Sequence, residues 1–198
     1  MKSPLVDTAR LEPAKRALMR QTPAILAALL WAVPLAAAAA SPAQTLTAAA
    51  VRCDPLDKHP RHIAQVKAKE APLSYSAQVR GEVIERGRPV DFKLTIENDA
   101  TTPAALSFST SQLYDIVVWD DQCHEVWRWS DGFAFTQVIT SISVQRSNPI
   151  FYNIRWQRRD QTGHPVGSGT YEARLAFLGR SATRHAPLVF DPLIFDLQ

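Results

Sequence analysis

Apolar and polar residues alternate with a period of two along most of the chain from residue 73 onward. The clearest case is 90–97, where four large apolar residues alternate with Asp, Lys, Thr and Glu. Such alternation is typical of a strand with one buried face, and no stretch keeps apolar residues at helical spacing for long. Other runs that predict strands are 73–79, 104–108, 114–119, 125–129, 135–144, 150–156, 171–177 and 188–195.

These short runs, separated by turn residues, predict an all-β fold. We expect an immunoglobulin-like antiparallel β-sandwich of about seven to nine strands. Residues 72–198 are the predicted sandwich domain and are long enough for one two-sheet core. Residues 41–71 show no sustained period, and we expect an irregular linker or N-terminal arm there.

The first forty residues have the pattern of a targeting segment. Basic positions precede an Ala- and Leu-rich run at 24–40, and small residues end this run before Ser41. This order predicts a secretory signal peptide over 1–40, with Met19 as an alternative start. A retained membrane anchor is the other interpretation, because the run is close to the ~20 residues that a span needs.

Charge narrows the choice of partner. The chain has 22 Lys and Arg against 19 Asp and Glu, a formal charge of +3. This excess lies within the first forty residues, so the remainder is neutral overall. A neutral domain offers no electrostatic footprint for nucleic acid, and we expect no nucleic-acid partner.

The chain has two cysteines, Cys53 and Cys123, and both follow the predicted signal peptide. In an oxidising compartment such a pair predicts one disulfide. Two unpaired thiols are the alternative, because sequence spacing does not report distance in space. We expect an extracytoplasmic location: periplasmic, cell-envelope or secreted, with no membrane span after signal cleavage.

One segment narrows the class of protein. It contains the run 109–115, which ends in Tyr-Asp, then Glu-Val-Trp-Arg-Trp-Ser at 125–130 and Phe-Thr-Gln at 135–137. This segment resembles the bacterial intracellular proteinase inhibitor (BsuPI-type) family, over roughly residues 80–178. The resemblance implies a β-sandwich without catalytic activity that binds a protease, with a serine protease as the candidate, through exposed loops or an edge.

The chain departs from that family in two respects. Cys123 occupies the turn position where the family usually has a glycine, and the chain carries an export signal although the family is described as intracellular. The namesake's protease partner is therefore not transferred to this chain. A cysteine at this hairpin tip suggests that a disulfide to Cys53 staples the N-terminal arm to the tip.

The residues of the family motif are interpreted first as core. Trp127 and Trp129 are two apart on one predicted strand and share a face, opposite Val126 and Arg128. Tyr114 and Asp115 fall on opposite faces of the preceding strand. Arg128 is expected to pair with Asp115 or to cover an aromatic ring with its stem. The alternative is that these aromatic residues form a surface anchor for a partner.

The segment after this strand is the candidate contact loop. Its polar and glycine residues predict an exposed turn, and Phe133 would provide an apolar contact within it. The loop consists of Ser130, Asp131, Gly132 and Phe133.

No catalytic set can be assembled from the sequence. Gly167-Ser168-Gly169 lacks the spacing of a nucleophile elbow, and Asp120-Asp121 is typical of a hairpin turn. His59 and His62, with nearby carboxylates, could hold a metal, but a solvated linker is the preferred interpretation. We expect no cofactor and no metal. His124, His164 and His185 are expected to be solvated or hydrogen-bonded in loops.

Three classes of function remain. The first is a non-enzymatic, exported proteinase inhibitor, which rests on the family resemblance. The second is an extracytoplasmic protein-protein interaction or structural module of the cell envelope with no inhibitory activity. The third is a hydrolase, which is the least favoured because no acid, base, nucleophile or metal set is evident.

Overall fold

The computed structural model describes Cys53 and residues 62–198, and this part of the chain is built from strands without a helix. Alternating side chains explain the strands: in 73–79 and 90–96 every second residue is buried. The twelve strands are β1 Gln65–Glu70, β2 Leu73–Val79, β3 Val83–Ile84, β4 Val90–Asn98, β5 Ala104–Phe108, β6 Tyr114–Trp119, β7 Glu125–Arg128, β8 Thr140–Val144, β9 Ile150–Trp156, β10 Gly169–Phe177, β11 Leu188–Val189 and β12 Leu193–Leu197.

Two sheets form the layers of the predicted immunoglobulin-like sandwich. The first sheet has the order β1-β2-β4-β9, and the second has the order β3-β12-β10-β6-β7, with β11 beside β10. A separate two-stranded ribbon joins β5 to β8. All pairings are antiparallel except that of β3 with β12. The edge strands β7 and β9 each have one paired neighbour in their sheet.

The core lies between the two sheets and is rich in aromatic residues. Phe92 of the first sheet meets Phe195 of the second edge to face, with ring centroids 5.9 Å apart. Tyr75 and Phe177 contact each other across the layers in a tilted arrangement, with ring centroids 5.8 Å apart. Rings packed in this way combine a large buried area with a favourable mutual orientation. The all-β sandwich expected from the sequence is therefore confirmed.

Both faces of β6 are buried. Ile116 and Val118 point into the main core, while Val117 and Trp119 belong to a second apolar cluster on the outer side of the sheet. This is the division of faces that the alternation predicts. Cys53 packs against the outer cluster.

The strand plan differs from the expectation in three places. There are twelve strands, more than the predicted number, because several are only two residues long or are split. Residues 65–70, expected within the irregular arm, form β1 and pair with β2 over their whole length. Residues 133–139, most of which were expected in a strand, have no regular structure, and β8 begins at Thr140.

The predicted signal peptide, its Met19 alternative and most of the arm lie outside the described residues. In the portion that is described, no helix has the length and apolar character needed to cross a membrane.

Candidate protein-binding surface

The hairpin between β6 and β7 carries the predicted disulfide. Cys53 and Cys123 are bonded, with an S–S distance of 2.03 Å and 70 positions between them in sequence. Cys123 has a φ of 63°, in the left-handed region that glycine enters without steric cost. This backbone conformation explains why glycine is the usual residue at this turn.

A buried carboxylate supports the start of the candidate contact loop. Asp115 on β6 has no solvent exposure, and its carboxylate accepts hydrogen bonds from the Ser130 hydroxyl at 2.9 Å and the Ser130 backbone N–H at 3.2 Å. The backbone N–H of Ile116 donates to the same carboxylate at 2.9 Å. Ser130 is itself buried. It therefore holds the loop in place, and it is not the exposed contact residue that the sequence predicted.

Arg128 completes this polar cluster. Its Nη1 lies 3.4 Å from the Asp115 carboxylate, the pairing that the sequence predicted. Its Nε and Nη2 donate to the two carboxylate oxygens of Glu125 at 2.9 and 2.6 Å. Burial raises the pKa of the Asp115 carboxyl, although the Ser130 hydrogen bond and the Arg128 charge lower it. Burial alone would lower the pKa of Arg128, but its two carboxylate partners raise it.

Trp127 and Trp129 both pack against the main core, and both are half-buried. Trp127 stacks on Trp156 of β9, with ring centroids 5.8 Å apart. Val126 also packs against this core, although strict alternation places it with Arg128 on the other face. The register between β6 and β7 shifts at Val118/Trp119, which interrupts the alternation at this point.

Trp129 is the centre of an aromatic cluster at the side of the sandwich where β7 and β9 are the edge strands. The centroid of its ring lies 4.4 Å from that of Tyr114, and the Tyr114 centroid lies 5.1 Å from that of Tyr152 of β9. On its other side, Trp129 contacts Phe133 at 5.3 Å and Phe135 at 5.9 Å. The cluster therefore connects the core to the segment that follows β7.

Residues 133–139, here called the apolar loop, present large apolar side chains to solvent. Phe133 is 60% exposed and Ile139 is 82% exposed, while Phe135 is partly buried against Trp129. Five large apolar residues are exposed among the described residues, and three of them, Phe133, Val138 and Ile139, lie in this loop. A concentration of exposed apolar groups on one loop is typical of an interaction site.

The apolar loop is held at several points although it has no regular structure. Ser111 donates its backbone N–H to the Thr136 carbonyl at 2.9 Å, and its hydroxyl accepts from the Thr136 N–H at 3.0 Å. Before the loop, Gly132 has a φ of 78°, which turns the chain after Asp131. Strand β8 takes up the chain directly after Ile139. The loop therefore combines exposed apolar side chains with a backbone that is hydrogen-bonded to the sandwich at Thr136.

No group of three potential metal ligands occurs within Cys53 and 62–198. His62 bonds to Asp196 at 2.9 Å, and His59 lies outside the described residues. His124 and His164 are exposed and each contacts an aspartate in its own loop, as predicted. Gly169, the last residue of the Gly-Ser-Gly segment, is also the first residue of β10, so this segment leads into a strand.

Sequence comparison identifies the family. Residues 77–182 match the family described as intracellular proteinase inhibitor, BsuPI. This match covers more than half of the 198 residues, and the chain belongs to this family. No curated protein is significantly similar to the chain.

Several solved structures are similar in part. The C-terminal domain of Wzt is 12% identical, over 74% of this chain and 86% of that one, with a TM-score of 0.40. The CARDB domain of the PF1109 protein from Pyrococcus furiosus is 8% identical, over 75% and 100%, with a TM-score of 0.35. The Pseudomonas fluorescens alkylpurine DNA glycosylase AlkC is 14% identical, over 69% and 31%, with a TM-score of 0.35.

The chain spans less than a third of the length of AlkC, and 16% of the length of a Listeria innocua beta-glucosidase that it also resembles. Likeness at this level carries no argument about function.

Proposed function

We propose that the protein is a non-enzymatic proteinase inhibitor that acts outside the cytoplasm and contacts its protease through the apolar loop. Family membership supports the class of activity. The observation that supports the proposed site is the exposure of Phe133, Val138 and Ile139 on one loop. The backbone of this loop is hydrogen-bonded to Ser111.

The arrangement suits inhibition without chemistry. A protease active site accepts an extended segment, and a segment that is already held in place loses little conformational entropy on binding. The Thr136–Ser111 hydrogen bonds and the packing of Phe135 on Trp129 provide this restraint. The same contacts would keep the ends of a cleaved loop together, which slows the release of products.

The extracytoplasmic location is part of the proposal. A disulfide that persists is typical of an oxidising compartment. The basic, apolar and small-residue order of 1–40 favours export. The N-terminal residue of the protein recovered from cells tests this, because export with cleavage predicts Ser41. An intact N-terminus on protein found in the cytoplasm would contradict it.

Titration of the purified protein against a panel of serine proteases tests the activity. We expect a saturable loss of proteolysis with at least one protease, while the apolar loop stays uncleaved during the assay. If no protease loses activity at micromolar protein, the inhibitor proposal is wrong. Complex formation without loss of proteolysis would favour the alternative, an interaction module of the cell envelope.

A further inference from the structure

A second candidate site lies at the end of the sandwich that contains the β3–β4 turn and the β9–β10 loop. The two segments line a half-open cavity of about 300 Å³, which is at the lower end of the range of small-molecule sites. Four arginines line it: Arg86, Arg88, Arg158 and Arg159. No Asp or Glu side chain is among the described residues that line this space, here called the arginine cavity.

Several other arginines of the sandwich have carboxylate partners. Arg128, Arg155 and Arg184 each form an ion pair with a carboxylate. Within the described part of the chain, none of the four cavity arginines forms an ion pair with an Asp or Glu side chain. Because no acidic side chain compensates these four charges, the cavity should attract an anion.

Arg158 is held in place at the rim of the cavity. Its Nη1 donates to the Glu85 carbonyl at 3.0 Å and its Nη2 to a main-chain oxygen of Gln198 at 2.8 Å. Its φ of 57° places a bulky residue in the left-handed region, which costs free energy and often marks a functional position. The Glu85 carbonyl also accepts the Arg88 N–H at 3.1 Å, so Arg158 is tied to the turn that carries Arg88.

Donors remain for a ligand. A guanidinium has five N–H groups, and two of these in Arg158 and one in Arg159 donate to main-chain oxygens. Gly87, between Arg86 and Arg88, has a φ of 77° and no side chain to fill the space. Glu85 and Asp91 line a neighbouring depression, where Asp91 is paired with Arg155.

We propose that the arginine cavity binds a phosphate group. A tetrahedral phosphate group has several oxygens that can accept hydrogen bonds from several guanidinium groups at once, whereas a single carboxylate is satisfied by one guanidinium fork. The group is either a free phosphate ion or the phosphate of an anionic lipid headgroup. This site is separate from the apolar loop and does not depend on protease inhibition.

Calorimetric titration of the purified protein with inorganic phosphate, with acetate as the comparison, tests the proposal. Co-sedimentation with vesicles of phosphatidylglycerol and phosphatidylcholine, or of phosphatidylcholine alone, tests the headgroup source. We expect saturable binding to phosphate or to the phosphatidylglycerol vesicles. Binding of either alone identifies the source. Absence of both, or acetate binding as tight as phosphate binding, overturns the proposal.

The double variant Arg86→Gln/Arg88→Gln locates the site without removing the contacts of Arg158. We expect it to bind about tenfold more weakly or worse, because charge-assisted hydrogen bonds are lost. Arg146→Gln is the control, since Arg146 is an exposed residue of the β8–β9 turn outside the cavity. Equal weakening in the control, or no weakening in the double variant, contradicts the proposal. Thermal unfolding of each variant checks that the fold is retained.

Discussion

The carboxylate of Asp115 lies 3.4 Å from Nη1 of Arg128 on the neighbouring strand, and Asp115 is fully buried while Arg128 is partly buried. The same carboxylate accepts two hydrogen bonds from Ser130, the residue at which the chain turns toward the apolar loop. The position of an exposed loop is thus tied to a charge buried inside the sheet.

Replacing the buried carboxylate should destabilise the fold. Asp115→Ala leaves the two Ser130 donors without an acceptor and removes one partner of Arg128. Breaking a buried pair in this way typically costs about 3–5 kcal/mol. Chemical unfolding measures the loss. Arg155→Gln is the control, because the Arg155–Asp91 pair is exposed and should have little effect. Equal stability of Asp115→Ala and the wild type would show that the cluster is not structural.

The two half-buried tryptophans should matter for folding more than the exposed phenylalanine. Trp127→Ala removes a ring that stacks on Trp156 and packs on the core, and should cost about 3 kcal/mol. Phe133→Ala should cost about 1 kcal/mol or less, because its main contact is one stacked ring. Denaturant midpoints compare the two variants. If Phe133→Ala is as destabilising as Trp127→Ala, then Phe133 is part of the core.

Reduction of the disulfide should be visible in mass and in stability. The intact mass should rise by two hydrogen atoms on treatment with reductant, and an unchanged mass would mean that no bond had formed. Because the bond joins residues 70 positions apart, its loss in Cys53→Ser should lower the free energy of unfolding by about 2–4 kcal/mol.

A polar cluster between the β1–β2 turn and residues 181–184 should make stability depend on pH. Burial alone would raise the pKa of Glu70, but hydrogen bonds from Ser181, Thr183 and Arg184 outweigh it and lower that pKa. A carboxyl group whose pKa is lowered in the folded state stabilises the fold at pH values above its unfolded pKa of about 4.3. This contribution is lost as the pH falls through the folded-state pKa.

Melting temperature measured between neutral and acidic pH checks this expectation. The acid-side decrease should be smaller in Glu70→Gln than in the wild type. Glu97→Gln, a change at an exposed position of β4, should leave the decrease unchanged. The same acid profile in Glu70→Gln and the wild type would show that Glu70 contributes nothing to it.

Alternation predicted the bounds of several strands. The bounds 104–108, 114–119 and 150–156 agree with β5, β6 and β9. β1 was missed because its inward residues are only Val66 and Ala68 between charged neighbours, a pattern that also suits a solvated arm or an edge strand.

The candidate site was predicted only in part, because its supports are distant in sequence. Phe133 is exposed as expected, but Ser130 is buried and donates a hydrogen bond to Asp115, which lies fifteen positions earlier. Local composition does not report such a contact. The exposed residues Val138 and Ile139 were assigned to a strand on their apolar character, and their loop is held by Ser111, far from them in sequence.

The inhibition constants of matched phenylalanine variants test the central claim most directly. Phe133 and Phe151 are exposed to a similar degree, 60% and 56%, but only Phe133 lies in the apolar loop. Against a protease that the wild type inhibits, we expect Phe133→Ala to raise the inhibition constant by about tenfold or more, as for an aromatic anchor. Phe151→Ala should leave the constant unchanged. An unchanged constant in Phe133→Ala, or an equal rise in both variants, would contradict the assignment of the apolar loop as the protease contact.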